Sequence, residues 1–121
     1  MKKISHYIIF YFIIVLFLSG ISYAQSPIQG KVVGVADGDT ITVLQDSKQY
    51  KIRLYGIDTP EKKQGFGQKA KKFTSDMVFR QQVKIVAYDT DRYGRTVGMV
   101  YIGKKCLNEE LIKNGYAWVY K

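Results

Sequence analysis

Residues 39–55 read DTITVLQDSKQYKIRLY, from Asp39 to Tyr55, and this stretch decides the fold. In Thr40–Leu44, Ile41 and Val43 alternate with Thr40 and Thr42; in Tyr50–Tyr55, Ile52 and Leu54 alternate with Lys51, Arg53 and Tyr55. A period of two marks half-buried strands, and the polar run Gln45–Gln49 between them reads as the turn of an antiparallel hairpin. Closing it sets the start of the first strand beside the end of the second. Asp39 then meets Gly56 and its neighbours, within reach of Asp58 and Glu61, with Arg53 one or two pairs back. Because Arg53 opposes Ile52 and Leu54 in the alternation, it faces outward. Three carboxylates and an arginine at one outer end of a sheet suit a site for a cation and a phosphate.

Outward from the hairpin, Lys31–Ala36 reads as a first, valine-rich strand, with Asp37-Gly38 as a tight turn into Thr40. Gly67–Arg80 reads as a helix with Ala70, Phe73, Thr74 and Met77 on one face and lysines on the other. Val83–Tyr88 is a fourth strand with Val83, Ile85 and Ala87 on one side, Asp89–Gly94 a polar loop, and Thr96–Ile102 a fifth strand. In the second helix Asn108 reads as the N-cap, Leu107 and Ile112 as a hydrophobic staple, and Gly115 as the C′ residue. Three strands, a helix, two strands and a helix fit an OB-fold, a five-stranded barrel on the border of the all-β and α+β classes. An open α+β meander has the same order; short valine-rich strands favour the barrel.

The first 24 of the 121 residues read as a signal peptide. Lys2 and Lys3 precede the apolar run Tyr7–Leu18, and Ser22-Tyr23-Ala24 supplies small residues at a cleavage site before Gln25. A retained anchor is the other reading. Residues 25–121 form one domain, and net charge falls from +9 to +7 without the two leader lysines. So basic a domain suits a polyanion: nucleic acid, anionic lipid or cell-wall polymer. The sole cysteine, Cys106, excludes an internal disulfide and reads as a semi-buried thiol. His6, the sole histidine, falls in the leader, which excludes histidine bases and histidine-bound zinc from the domain and leaves oxygen-liganded metals.

Asp37-Gly38-Asp39-Thr40, Arg53-Leu54 through Asp58-Thr59-Pro60-Glu61, and Asp91-Arg92-Tyr93-Gly94-Arg95 together resemble the staphylococcal nuclease family. The likeness extends through Phe66-Gly67-Gln68 before the helix and Asn108-Glu109-Glu110-Leu111 into Gly115, covering Ile28 to Tyr120. It implies hydrolysis of DNA and RNA within the strand to 3′-phosphate and 5′-hydroxyl ends. It also implies that Asp39, Asp58 and the Thr59 carbonyl hold Ca²⁺, that Glu61 activates water, and that Arg53 and Arg95 clamp the phosphate. Tyr93 would contact the adjacent nucleotide. Single strands are the expected substrate, for a monomer that is secreted, periplasmic or envelope-associated. A binding module without catalysis and an inactive relic are the alternatives. The family's third, C-terminal helix has no counterpart before Lys121. The expectation is therefore a shortened variant or a fragment of a longer product, with Ala117, Trp118 and Val119 short of apolar cover.

Overall fold

A computed structural model describes residues 27–120, so the signal-peptide reading of residues 1–24 lies outside the described residues. The strands are β1 (Ile28–Asp37), β2 (Thr40–Gln45), β3 (Lys48–Leu54), β4 (Ile57–Asp58), β5 (Gln82–Thr90), β6 (Thr96–Ile102), β7 (Lys105–Cys106) and β8 (Trp118–Val119). Helix α1 covers Gly65–Val78 and α2 covers Leu107–Lys113. The main sheet runs β3-β2-β1-β5-β6, and a parallel pairing of β3 with β6 closes it into a five-stranded barrel. The closed barrel, not the open meander, is the architecture.

Alternation along the hairpin decides what fills the barrel. Val32, Ile41, Val43, Ile52, Ile85 and Val100 are fully buried, with Leu107, Leu111 and Val78 from the helices completing the core. Burying one such side chain contributes about 1.5–3 kcal/mol. An exposed helix pair such as Lys72–Asp76, at 2.5 Å, contributes only about 0.3–0.5 kcal/mol. The barrel interior therefore holds the fold, and the surface charges remain free for other uses.

Several boundaries differ from the sequence reading, each for a local reason. The hairpin turn is Asp46-Ser47 rather than Gln45–Gln49, because Asp46 takes a left-handed φ of 55° and lets Gln45 pair with Lys48. Strand β5 runs on to Thr90, and Ala87 is exposed, where the β5–β6 register slips between Ala87 and Asp89. Helix α1 starts two residues before Gly67. That glycine is buried in the first turn, where a Cβ would lie 1.8 Å from the Glu61 carbonyl oxygen.

Asn108 is not an N-cap. Cys106 holds that position without a side-chain cap bond, and Asn108 is 2% exposed inside α2. Its Oδ1 accepts from the Val100 amide at 3.0 Å, and its Nδ2 donates to the Tyr55 and Gly98 carbonyls at 3.0 and 3.3 Å. Leu107 is buried within the helix and Ile112 is exposed, so the two form no staple. The helix end is as expected. Gly115 takes a φ of 77°, and the Gly115 and Tyr116 amides donate back to Ile112 and Leu111. Cys106 is buried, and burial pushes its thiol up despite opposing amide hydrogen bonds from Glu109 and Asn108.

Candidate functional site

Four elements meet at one end of the barrel: the β1–β2 turn, the end of β3, β4 with the residues after it, and the start of α1. The turn is Gly38-Asp39, since Asp37 pairs with Thr40. Gly38 is needed for close approach, because a Cβ there would meet the Ala70 Cβ at 3.0 Å. Thr74, fully buried on α1, donates its hydroxyl to the Gly38 carbonyl at 2.6 Å. The helix thus fixes the turn that carries Asp39.

The hairpin geometry brings the acidic residues to Arg53. Thr40 pairs with Arg53, and the Leu54 amide donates to the Asp39 carbonyl at 2.9 Å. Asp39 is nearly buried, and its Oδ2 accepts from the Thr59 amide at 3.1 Å. Arg53 Nη2 lies 3.4 Å from Asp39 Oδ2 and donates to Asp58 Oδ1. Its Nη1 donates to the Leu54 and Ile57 carbonyls at 2.9 and 2.8 Å. Five donor sites in a rigid fork let one guanidinium bind two carboxylates and two carbonyls at once.

Asp58 stands between two grooves. The first, about 320 Å³, is lined by Asp37, Asp39, Asp58, Thr59, Pro60, Glu61, Lys62 and Lys63. The second, about 590 Å³, is lined by Arg53, Asp58, Asp91, Arg95 and Tyr120 among others. Of the sequence-predicted residues, Asp39, Asp58, Thr59 and Glu61 therefore share one groove, while Arg53 and Arg95 share the other. Tyr93 lines neither. It is 69% exposed, with the Arg92 and Arg95 guanidinium carbons 4.9 and 5.4 Å from its ring centre.

Arg95 is held by its own loop. Its Nε donates to Asp91 Oδ2 at 2.7 Å, while the Tyr93 and Arg95 amides donate to Asp91 Oδ1 at 2.9 and 3.0 Å. Partial burial pushes the Asp91 carboxyl up. The Arg95 amide and guanidinium bonds, with the Tyr93 amide, outweigh that effect and hold it below its ordinary value.

The sequence reading left out Asp37, which lines the first groove with an Oδ1 that is buried without a hydrogen-bond partner; the Thr59 hydroxyl is in the same position. Unpaired buried oxygens are costly and point to a missing ligand or water. Asp39, Asp58 and the Thr59 carbonyl offer the same groove oxygen donors only, the chemistry that suits a hard divalent cation. Among the described residues no three His, Cys, Asp or Glu side chains converge as a metal cage. Such a cation would keep several coordination positions for water or substrate. Tyr120 was also missed. Its amide donates to the Gly56 carbonyl at 2.8 Å beside the β4–β8 pair, in which Asp58 faces Trp118. Two-residue strands carry no periodicity from which to read them.

The family model described as staphylococcal nuclease homologue matches residues 51–121. The chain is 48% identical over 92 residues to an uncharacterized endonuclease of Haemophilus influenzae, covering 75% of this chain and 52% of that protein. It is 44% identical over 96 residues to a thermonuclease of Staphylococcus hyicus, covering 72% and 56%. With an uncharacterized endonuclease of Escherichia coli it shares 38% identity over 112 residues, covering 92% and 73%. The chain spans about half the length of the first two relatives. The match takes in the end of β3 with Arg53, the acidic turn after β4 and the Asp91–Arg95 loop, while the turn that carries Asp39 precedes it. Barrel topology, site geometry and relatives agree: the chain belongs to the staphylococcal nuclease family.

Proposed function

We propose that the chain is a secreted endonuclease that uses Ca²⁺ to hydrolyse DNA and RNA phosphodiesters, preferring single strands and acting as a monomer. The observation that carries this reading is the position of Asp58 and Arg53: they join an acidic groove containing Glu61 to a second groove containing Arg95. A phosphodiester at that junction has a carboxylate base on one side and a guanidinium on the other. The names thermonuclease and endonuclease borne by relatives support the reaction class. The basic, apolar and small-residue order of residues 1–24 supports export.

In this mechanism Arg53 and Arg95 bind the non-bridging phosphate oxygens and offset the charge that grows as phosphorus becomes five-coordinate. Glu61, exposed at the groove wall, accepts a proton from the attacking water. The new bond joins the water oxygen to phosphorus, and the bond from phosphorus to the 5′ oxygen breaks. A 3′-phosphate and, after protonation, a 5′-hydroxyl remain. Asp39, Asp58 and the Thr59 carbonyl would hold Ca²⁺, which when bound supplies Lewis-acid stabilisation of the transition state. The test is incubation of the purified chain with single-stranded DNA in Ca²⁺, Mg²⁺ or chelator. Cleavage in Ca²⁺ that stops under chelation is expected; cleavage that persists removes the metal assignment, and binding without cleavage favours a non-catalytic module.

A further inference from the structure

Tyr55 and Tyr88 form an exposed aromatic pair outside the acidic site. Their ring centres are 4.6 Å apart with planes tilted by 36°, and the side chains are 48% and 59% exposed. Tyr55 follows β3 and Tyr88 sits on β5, and in sheet order β6 lies between them. The contact therefore bridges the outside of the barrel wall, where neither ring adds to the core. Burying large aromatic rings is normally their main contribution. A tilted ring pair left open to solvent is a surface with another use.

The pair also joins two grooves. Tyr55 lines the groove that contains Arg53, Asp58 and Arg95. Tyr88 lines a separate groove of about 840 Å³ with Ile28, Tyr50, Lys84, Val86 and Asp89 among its other walls. Lys84 and Val86 alternate with the buried Val83 and Ile85 on the outer face of β5, and Tyr88 is exposed just beyond them at the register slip. Lys48 lies 4.8 Å from the centre of the Tyr50 ring, so a cation and an aromatic recur at the β3 side. Asp89 is the opposing charge, and its Oδ1 accepts from the Thr90 amide. Open aromatic faces with lysines at intervals are what a polyanion with flat, unpaired bases requires. A duplex conceals those faces, and a lipid headgroup has none.

We propose that the exposed Tyr55–Tyr88 pair and the groove beyond it are a binding track for single-stranded nucleic acid, holding bases one or more nucleotides away from the phosphate at Arg53. The inference rests on the nucleic-acid reading of the site above. It adds a substrate-length dependence that the acidic site alone does not produce. Stacking uses the ring and not the hydroxyl, so Tyr88→Phe should keep the track and Tyr88→Ala should lose it.

The test compares a dinucleotide with a twelve-nucleotide single strand, for the wild type, Tyr88→Ala and Tyr88→Phe. Losing one stacked base should raise KM for the long strand about five- to tenfold in Tyr88→Ala, several times more than for the dinucleotide, with Tyr88→Phe near wild type. An equal change for both lengths, no change, or a Tyr88→Phe as impaired as Tyr88→Ala overturns the track. Binding of the labelled twelve-mer to Glu61→Gln, with and without Tyr88→Ala, separates the two readings. Tyr88-dependent binding by a chain that never cleaves keeps the track and removes the nuclease assignment. Cleavage indifferent to Tyr88 does the reverse, and a chain that neither binds nor cleaves removes both.

Discussion

Asn108 on α2 donates a 3.0 Å hydrogen bond to the carbonyl of Tyr55, joining the second helix to the strand end that carries Arg53. The same side chain accepts from Val100, so one buried amide connects β3, β6 and α2. Replacing Asn108 with Ala leaves a backbone amide and a carbonyl without partners. At roughly 1–3 kcal/mol for each unsatisfied group, the expected loss is about 2–6 kcal/mol. Urea unfolding of Asn108→Ala against wild type checks this, and a loss below about 1 kcal/mol would show that water replaces the amide.

Gly67→Ala tests the seat of α1. The new Cβ would meet the Glu61 and Pro60 carbonyls, which are backbone and cannot swing aside. Either the helix start or the loop carrying Glu61 must shift. Overpacking of this kind costs about 1–3 kcal/mol, and kcat should fall more than KM rises because Glu61 moves. Steady-state kinetics with a thermal melt would show a stable, fully active variant if the contact were dispensable.

Glu61→Gln removes the proposed base and keeps the side chain's size. Cleavage should drop about 10²–10⁴-fold, while binding of a labelled single strand stays within about twofold, well short of the loss of one good contact. Retained cleavage would assign the base elsewhere.

Asp91 gives a pH dependence with a defined sign. Its folded carboxyl titrates below the ordinary value. The support it gives the Arg95 loop is therefore complete above the unfolded value, near ~3.9, and is lost as pH falls through the lower, folded one. Carboxyl NMR titration should place its midpoint below those of exposed aspartates. Asp91→Ala frees Arg95 and should lower kcat/KM by up to about a hundredfold, the scale of a misplaced clamp. A normal midpoint would mean that the loop bonds do not persist in solution.

The hairpin was legible because alternation and turn chemistry are local. Ile41, Val43, Ile52 and Leu54 announce an inward face, and the outward position of Arg53 follows from them. Asp39, Asp58 and Thr59 come together for the same reason, since pairing Thr40 with Arg53 leaves little choice about what lies beyond. Asn108 misled because a polar residue before an acidic helix turn has the signature of a cap, whereas its partners come from β3 and β6. Gly67 misled in the same way. It resembles a helix start, but it is there because a neighbouring carbonyl leaves no room for a side chain. The β4–β8 pair joins two dipeptides far apart in sequence, and no local pattern encodes such a contact.

That pairing has a consequence in time. Chains are synthesised from the N-terminus, so Asp58 leaves the ribosome long before Trp118, which faces it across the β4–β8 ladder. A nascent chain stopped between Arg95 and Trp118 already carries Asp39, Arg53, Glu61 and Arg95, yet lacks the strand that borders the Asp58 segment. Among the described residues, the acidic corner is thus the last part of the barrel to be framed.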